Sequence, residues 1–112
     1  MSGNFPKRGN IYWVPLDPAV GSKTKKTRPC LIVSNDIGNE YSNAVIIAPI
    51  TSKVKKIQSY EVKIELAGKI GKIMLHQCRV VDKSRIGKMI DCSTNSIMEQ
   101  VNEALRIVFD LT

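Results

Sequence analysis

The apolar residues of this chain change their spacing near residue 93, and that change limits what it can fold into. Before it they form short runs or alternate with polar neighbours. Ile11 to Leu16, Cys30 to Val33, Ala44 to Ile50, Ser59 to Leu66 and Lys72 to Leu75 read as strands, and Cys78 to Val81 resumes after the polar His76-Gln77. After it, Ile97, Val101, Ala104, Leu105 and Val108 fall on one helical face, with Ser93 as N-cap. A chain of 112 residues makes one domain, 1–112, around one core. Many short strands followed by one amphipathic helix predict a mainly β, α+β fold: a small, strongly bent antiparallel barrel with the helix packed on the sheet.

Turn and breaker residues divide the strands. Pro15 requires an edge or a bulge in the first one. Asp17-Pro18 marks a turn, and Gly21 opens a basic loop carrying Ser22, Lys23, Lys25 and Lys26. Pro29 biases Arg28 toward extended geometry at the mouth of Cys30–Val33, a run apolar enough to be buried on both faces. Ser34-Asn35-Asp36 caps a short helical turn that Gly38-Asn39 would end. Pro49 breaks the third strand, and a second basic loop, Lys53, Lys55 and Lys56, follows Thr51-Ser52. Between Ser59 and Leu66, Glu61, Lys63 and Glu65 mark a solvated face, and Gly68 to Gly71 suggests a hairpin-like turn.

The net charge of +7 is unevenly spread. Residues 1–28 carry six Lys/Arg against Asp17, and residues 53–88 carry ten against Glu61, Glu65 and Asp82. The rest has Arg106 against six acids. Two basic segments suit a polyanionic ligand, held by charge and counterion release; a solvated lysine surface has the same composition. Cys30, Cys78 and Cys92 are far apart, with no CxxC and one histidine, so reduced structural thiols are expected and no metal site. No run approaches the roughly 18 apolar residues of a membrane span, and the start lacks the apolar core of a signal peptide. A cytoplasmic protein is expected.

An ordered series of short motifs resembles the MazF/PemK family of toxin endoribonucleases: RGNIYW, LDPAVGS, TRPCLIVSNDIGN, APITS, HQCRVVDKSR and the helical VNEAL. They extend from Lys7 to about Val108. The resemblance implies an SH3-like barrel, a homodimer, and the toxin half of a toxin–antitoxin pair. It also implies metal-independent, sequence-specific cleavage of single-stranded mRNA, with no cofactor and with an acidic antitoxin as partner. It places the catalytic arginine on Arg28, the catalytic threonine on Thr51 and the polar residue of the first loop on Ser22. His76 stands where members often carry an acidic residue, and Pro15 where many have another residue.

RNA can be cut without a metal because its own 2′-OH can attack the adjacent phosphate, leaving a 2′,3′-cyclic phosphate and a 5′-OH. Arg28 suits the phosphate, since its planar fork donates two parallel hydrogen bonds; alone, it also reads as a surface arginine beside a proline. Thr51 offers a small hydroxyl at a strand end, or simply strand propensity. His76 is the one side chain whose unperturbed pKa, about 6.5, suits proton transfer at neutral pH, although a lone histidine is more often structural. Gln77 and Arg79 share one strand face with His76 on the other, and are candidate RNA contacts. Lys23, Lys25, Lys26, Lys53, Lys55 and Lys56 would wall the RNA groove, giving affinity without sequence choice. Tyr60 and Tyr41 are stacking candidates, while Tyr12 and Trp13 read as core or dimer contacts. Two rivals remain: a same-fold toxin that binds DNA gyrase, and a non-catalytic single-strand binder.

Overall fold

The computed structural model describes residues 4–16 and 26–112. Its central strand owes its place to three consecutive buried residues. Cys30, Leu31 and Ile32 are fully buried in β2 (Lys26–Ile32). Alternation sends Leu31 to one apolar cluster, with Ile11, Ala48, Ile50, Ile73 and Val101. Cys30 and Ile32 go to a second, with Val14, Val45, Ile47 and Val81. A strand buried on both faces was expected at Cys30–Val33. It begins earlier, so Lys26 and Arg28 are strand residues and not the end of a loop.

Among the described residues the order is β1 (Asn10–Leu16), β2, α1 (Asp36–Tyr41), β3 (Ala44–Thr51), β4 (Glu61–Leu66), β5 (Lys69–Met74), β6 (Arg79–Asp82), β7 (Met89–Cys92) and α2 (Asn95–Val108). The strands pair antiparallel in the order β4-β5-β3-β2-β1-β7, with β6 also on β3. The sheet curls into a half-barrel, and α2 packs against β4 and the 3₁₀ turn Leu75–Gln77. This is the expected α+β architecture.

Pro15 and Pro49 fall where a strand can spare an N–H. Pro15 pairs with Thr27 on β2, but β7 follows β1 only as far as Tyr12, so Pro15 lies on an open edge. Pro49 does not break β3. On that strand's outer side β6 is paired through Ile47 and β5 from Ile50 onward, and Pro49 sits where one partner gives way to the other.

Other expectations move by a few residues. The N-cap of α2 is Thr94, whose hydroxyl accepts from Ile97 N, and Ser93 instead donates its N–H to Gly9 O. Helix α1 runs through Gly38-Asn39 to Tyr41 because Asn39 is an internal anchor. Its fully buried side chain meets the Ser34 hydroxyl and donates to Ser34 O at 2.9 Å. Ser34 Oγ in turn accepts from Ile46 N, which ties the helix to β3. The hairpin turn is Ala67-Gly68, both at positive φ, with Gly71 inside β5. Strand β7 was not anticipated, since Met-Ile-Asp-Cys carries little periodic signal.

The Asn39 network gives a test of the frame. Asn39→Ala leaves a cavity and removes the partner of the part-buried Ser34 groups, and should lower unfolding free energy by about 2 kcal/mol in urea denaturation.

Candidate active site

The β2–β3 ladder pairs Ile32 with Ile47, Leu31 with Ala48 and Cys30 with Pro49, and there it stops. Continued two residues further, the same register sets Arg28 opposite Thr51. The strands part because β3 turns to its other partner, pairing Ile50 with Ile73 and Thr51 with Lys72 on β5. A groove of about 370 Å³ opens in the gap. Thr27-Arg28-Pro29 forms one wall, and Ile50-Thr51-Ser52 with Lys69-Ile70-Gly71 forms the other. Arg28 and Thr51, far apart in sequence, thus line one cavity. Of its described lining residues, only Arg28 and Lys69 carry charge.

Each wall is held by backbone contacts. Cys30 Sγ donates to Arg28 O at 3.6 Å. Burial pushes the Cys30 thiol up to about 12, although the Arg28 and Arg79 guanidiniums pull the other way. Cys30 therefore stays a neutral packing group and not a nucleophile. On the facing wall, Thr51 is buried and its Oγ1 accepts from Lys53 N at 3.2 Å. Gly71 presses against it: a Cβ there would lie 2.9 Å from Thr51 O.

Lys53, Lys55 and Lys56 are exposed on the segment leaving Thr51, and none of them is among the residues that line the groove. Beneath them lies an ion pair that the sequence did not suggest. Lys72 Nζ donates to Glu61 Oε1 at 3.0 Å, with side chains 14% and 4% exposed. Glu61 was expected on a solvated face; the loop folds over it and buries it. Burial works to raise its carboxyl. The Gln58 N–H, the Lys72 ammonium and nearby His76 more than offset that, and the group lies below the ordinary glutamate value.

The other expected site residues are placed as follows. Ser22, Lys23 and Lys25 lie outside the described residues. Lys26 is exposed on β2 opposite Leu16. His76 does not line the groove; it sits exposed on the Leu75–Gln77 turn, edge-on to the Tyr60 ring at 4.6 Å. That turn also corrects the strand-like path assumed for His76, Gln77 and Arg79. Gln77 is in the turn and Arg79 opens β6 opposite Ile47, both exposed and neither lining the groove. Trp13 and Lys69 line it and were not foreseen as site residues. For Trp13 the available signal was its register with Pro29. Tyr12 packs against the second apolar cluster, and Tyr41 is exposed. The cysteines are free thiols.

The protein is thus a curled antiparallel half-barrel with a C-terminal helix, and it carries an arginine and a threonine in one open groove. Residues 7–109 match the family described as PemK-like, MazF-like toxin of type II toxin–antitoxin systems, and the chain belongs to that family. It is 37% identical to endoribonuclease EndoA of Bacillus subtilis over 90% of this chain and 91% of the relative. It is 36% identical to endoribonuclease MazF of Staphylococcus saprophyticus, over 94% and 92%. Its fold matches a solved mycobacterial endoribonuclease in complex with its cognate antitoxin at a TM-score of 0.79 and 23% identity, covering 96% and 97% of the two chains. No helix among the described residues is long and apolar enough to cross a membrane.

The buried Glu61 carboxylate gives a pH test. Its folded pKa is depressed, so its stabilisation is present above the unfolded value of about 4.3 and lost as pH falls through the folded value. Glu61→Gln should have a lower urea midpoint than wild type at pH 7, and the gap should close as pH falls below the ordinary glutamate value.

Proposed function

We propose that this chain cleaves single-stranded mRNA at chosen sequences without a metal, and that a cognate acidic antitoxin neutralises it. It is a MazF/PemK-family toxin endoribonuclease, in line with the names of its relatives. The observation that carries the finer reading is the shared groove of Arg28 and Thr51.

A phosphodiester in the groove meets Arg28 on one side and Thr51 on the other. Arg28 suits the non-bridging oxygens, where its fork stabilises charge building on the phosphorane. The Thr51 hydroxyl is a second, smaller donor. The 2′-oxygen forms its bond to phosphorus as the bond to O5′ breaks. The 2′-proton leaves to a base, and O5′ takes up a proton to become the 5′-OH. The internal nucleophile removes the need for a metal-activated water. We assign the general-base role to the groove and not to His76, which meets the Tyr60 ring edge-on outside it. Lys53, Lys55, Lys56 and Lys69 lie where flanking phosphates would run, and give salt-dependent affinity.

An acidic antitoxin segment would compete for the same cations, ordering as it binds. A homodimer in the cytoplasm is the setting we infer for both partners.

In EDTA, purified protein should cut single-stranded RNA to 2′,3′-cyclic phosphate and 5′-OH ends. Arg28→Ala should lower kcat by at least about a hundredfold while leaving the circular dichroism spectrum intact. Intact RNA, or cutting restored only by added metal, would overturn the mechanism. His76→Ala should leave the shape of the pH–rate profile unchanged.

A further inference from the structure

The segment between Thr51 and β4 carries the three exposed lysines, yet side chains fasten it along its length. At its start, Thr51 Oγ1 accepts from Lys53 N at 3.2 Å. In its middle, Lys72 Nζ donates to Lys56 O at 2.8 Å. At its end, Glu61 Oε1 accepts from Gln58 N at 2.8 Å while receiving Lys72 Nζ at 3.0 Å. Lys72 is also the register partner of Thr51 across β3–β5. One ammonium on the strand beside Thr51 therefore holds both the loop and the carboxylate that closes it.

From this geometry we propose that Glu61 and Lys72 form a latch that positions Thr51 and the basic loop for RNA cleavage. The proposal rests on the catalytic reading given above. Neither residue lines the groove, so both act through Thr51 and the loop. The charges explain why the latch needs both members. Lys53, Lys55, Lys56 and Lys63 crowd the same end of the sheet, and Lys72 pairs directly with Lys63. Without the Glu61 carboxylate, Lys72 becomes a largely buried cation among other cations, which favours its release to water. Its hold on Lys56 O goes with it. Without Lys72, Glu61 keeps a backbone donor at Gln58, but the tie from Lys56 O to β5 is lost. Gly71, the next residue on β5, fixes Thr51 from its carbonyl side.

The test uses the full chain and separates the latch from the activity. Amide hydrogen exchange at Lys53 and Gln58, and trypsin cutting after Lys53, Lys55 and Lys56, report on the loop without RNA. Glu61→Gln and Lys72→Met should speed both, and Lys72→Arg, which keeps a charge with several donors, should restore protection. With saturating single-stranded RNA, the first two variants should lose about tenfold to a hundredfold in kcat while KM moves much less. Lys72→Arg should recover most of that loss. Gly71→Ala displaces Thr51 with the latch intact, so it should lower kcat with the loop still protected. Unchanged exchange in Glu61→Gln overturns the latch. Faster exchange with wild-type kcat, or full kcat in Gly71→Ala, overturns the positioning role. If wild type cuts no RNA at all, the catalytic reading fails, while the exchange data still decide whether the latch exists.

Discussion

The β2–β3 pairing, and the point where it stops, determines the rest of the structure. A ladder continued to the strand ends would have set Arg28 side by side with Thr51 and left no cavity. β3 instead exchanges β6 for β5 along its outer side, with Pro49 at the exchange. The strands diverge, and the residues that would have paired face each other across open space. Strong burial in the adjacent residues, Cys30 to Ile32 and Ile47 to Ile50, makes the divergence a fixed feature.

Electrostatics then acts on a prepared frame. Arg28 and Lys69 line the groove, the loop lysines are exposed on the segment that follows Thr51, and the Lys72–Glu61 ion pair is largely buried. That pair is a poor source of net stability, because desolvation offsets most of its attraction. Its value is geometric, since it ties a loop of like charges to the strand beside Thr51. Cys30 serves in a similar way on the opposite wall, as a thiol that burial keeps uncharged beneath Arg28.

Much of this was legible in the sequence, and the exceptions share a cause. The change of apolar spacing gave the strands and the final helix, because burial follows periodicity. Val101 and Ala104 are buried as the helical face required. The ordered motifs pointed to Arg28 and Thr51, and both line one groove. Period-two reasoning failed at His76-Gln77, where a 3₁₀ turn replaces a strand. It failed again at Glu61, whose polar side chain alternates outward but is covered by the loop before it. Trp13, read as a core or dimer contact, is half-exposed and not core, and only its register with Pro29 brings it to the groove. Each failure depends on tertiary contact, which local patterns do not encode.

The central claim is that Arg28 and Thr51 act on one phosphate from opposite walls. A double-mutant cycle on kcat/KM for RNA cleavage tests it most directly. Groups that work as a unit are strongly non-additive. Arg28→Ala with Thr51→Ala should therefore be little worse than the more damaging single change. If the two losses multiply in full, or if Thr51→Ala cleaves at the wild-type rate, the shared site is contradicted.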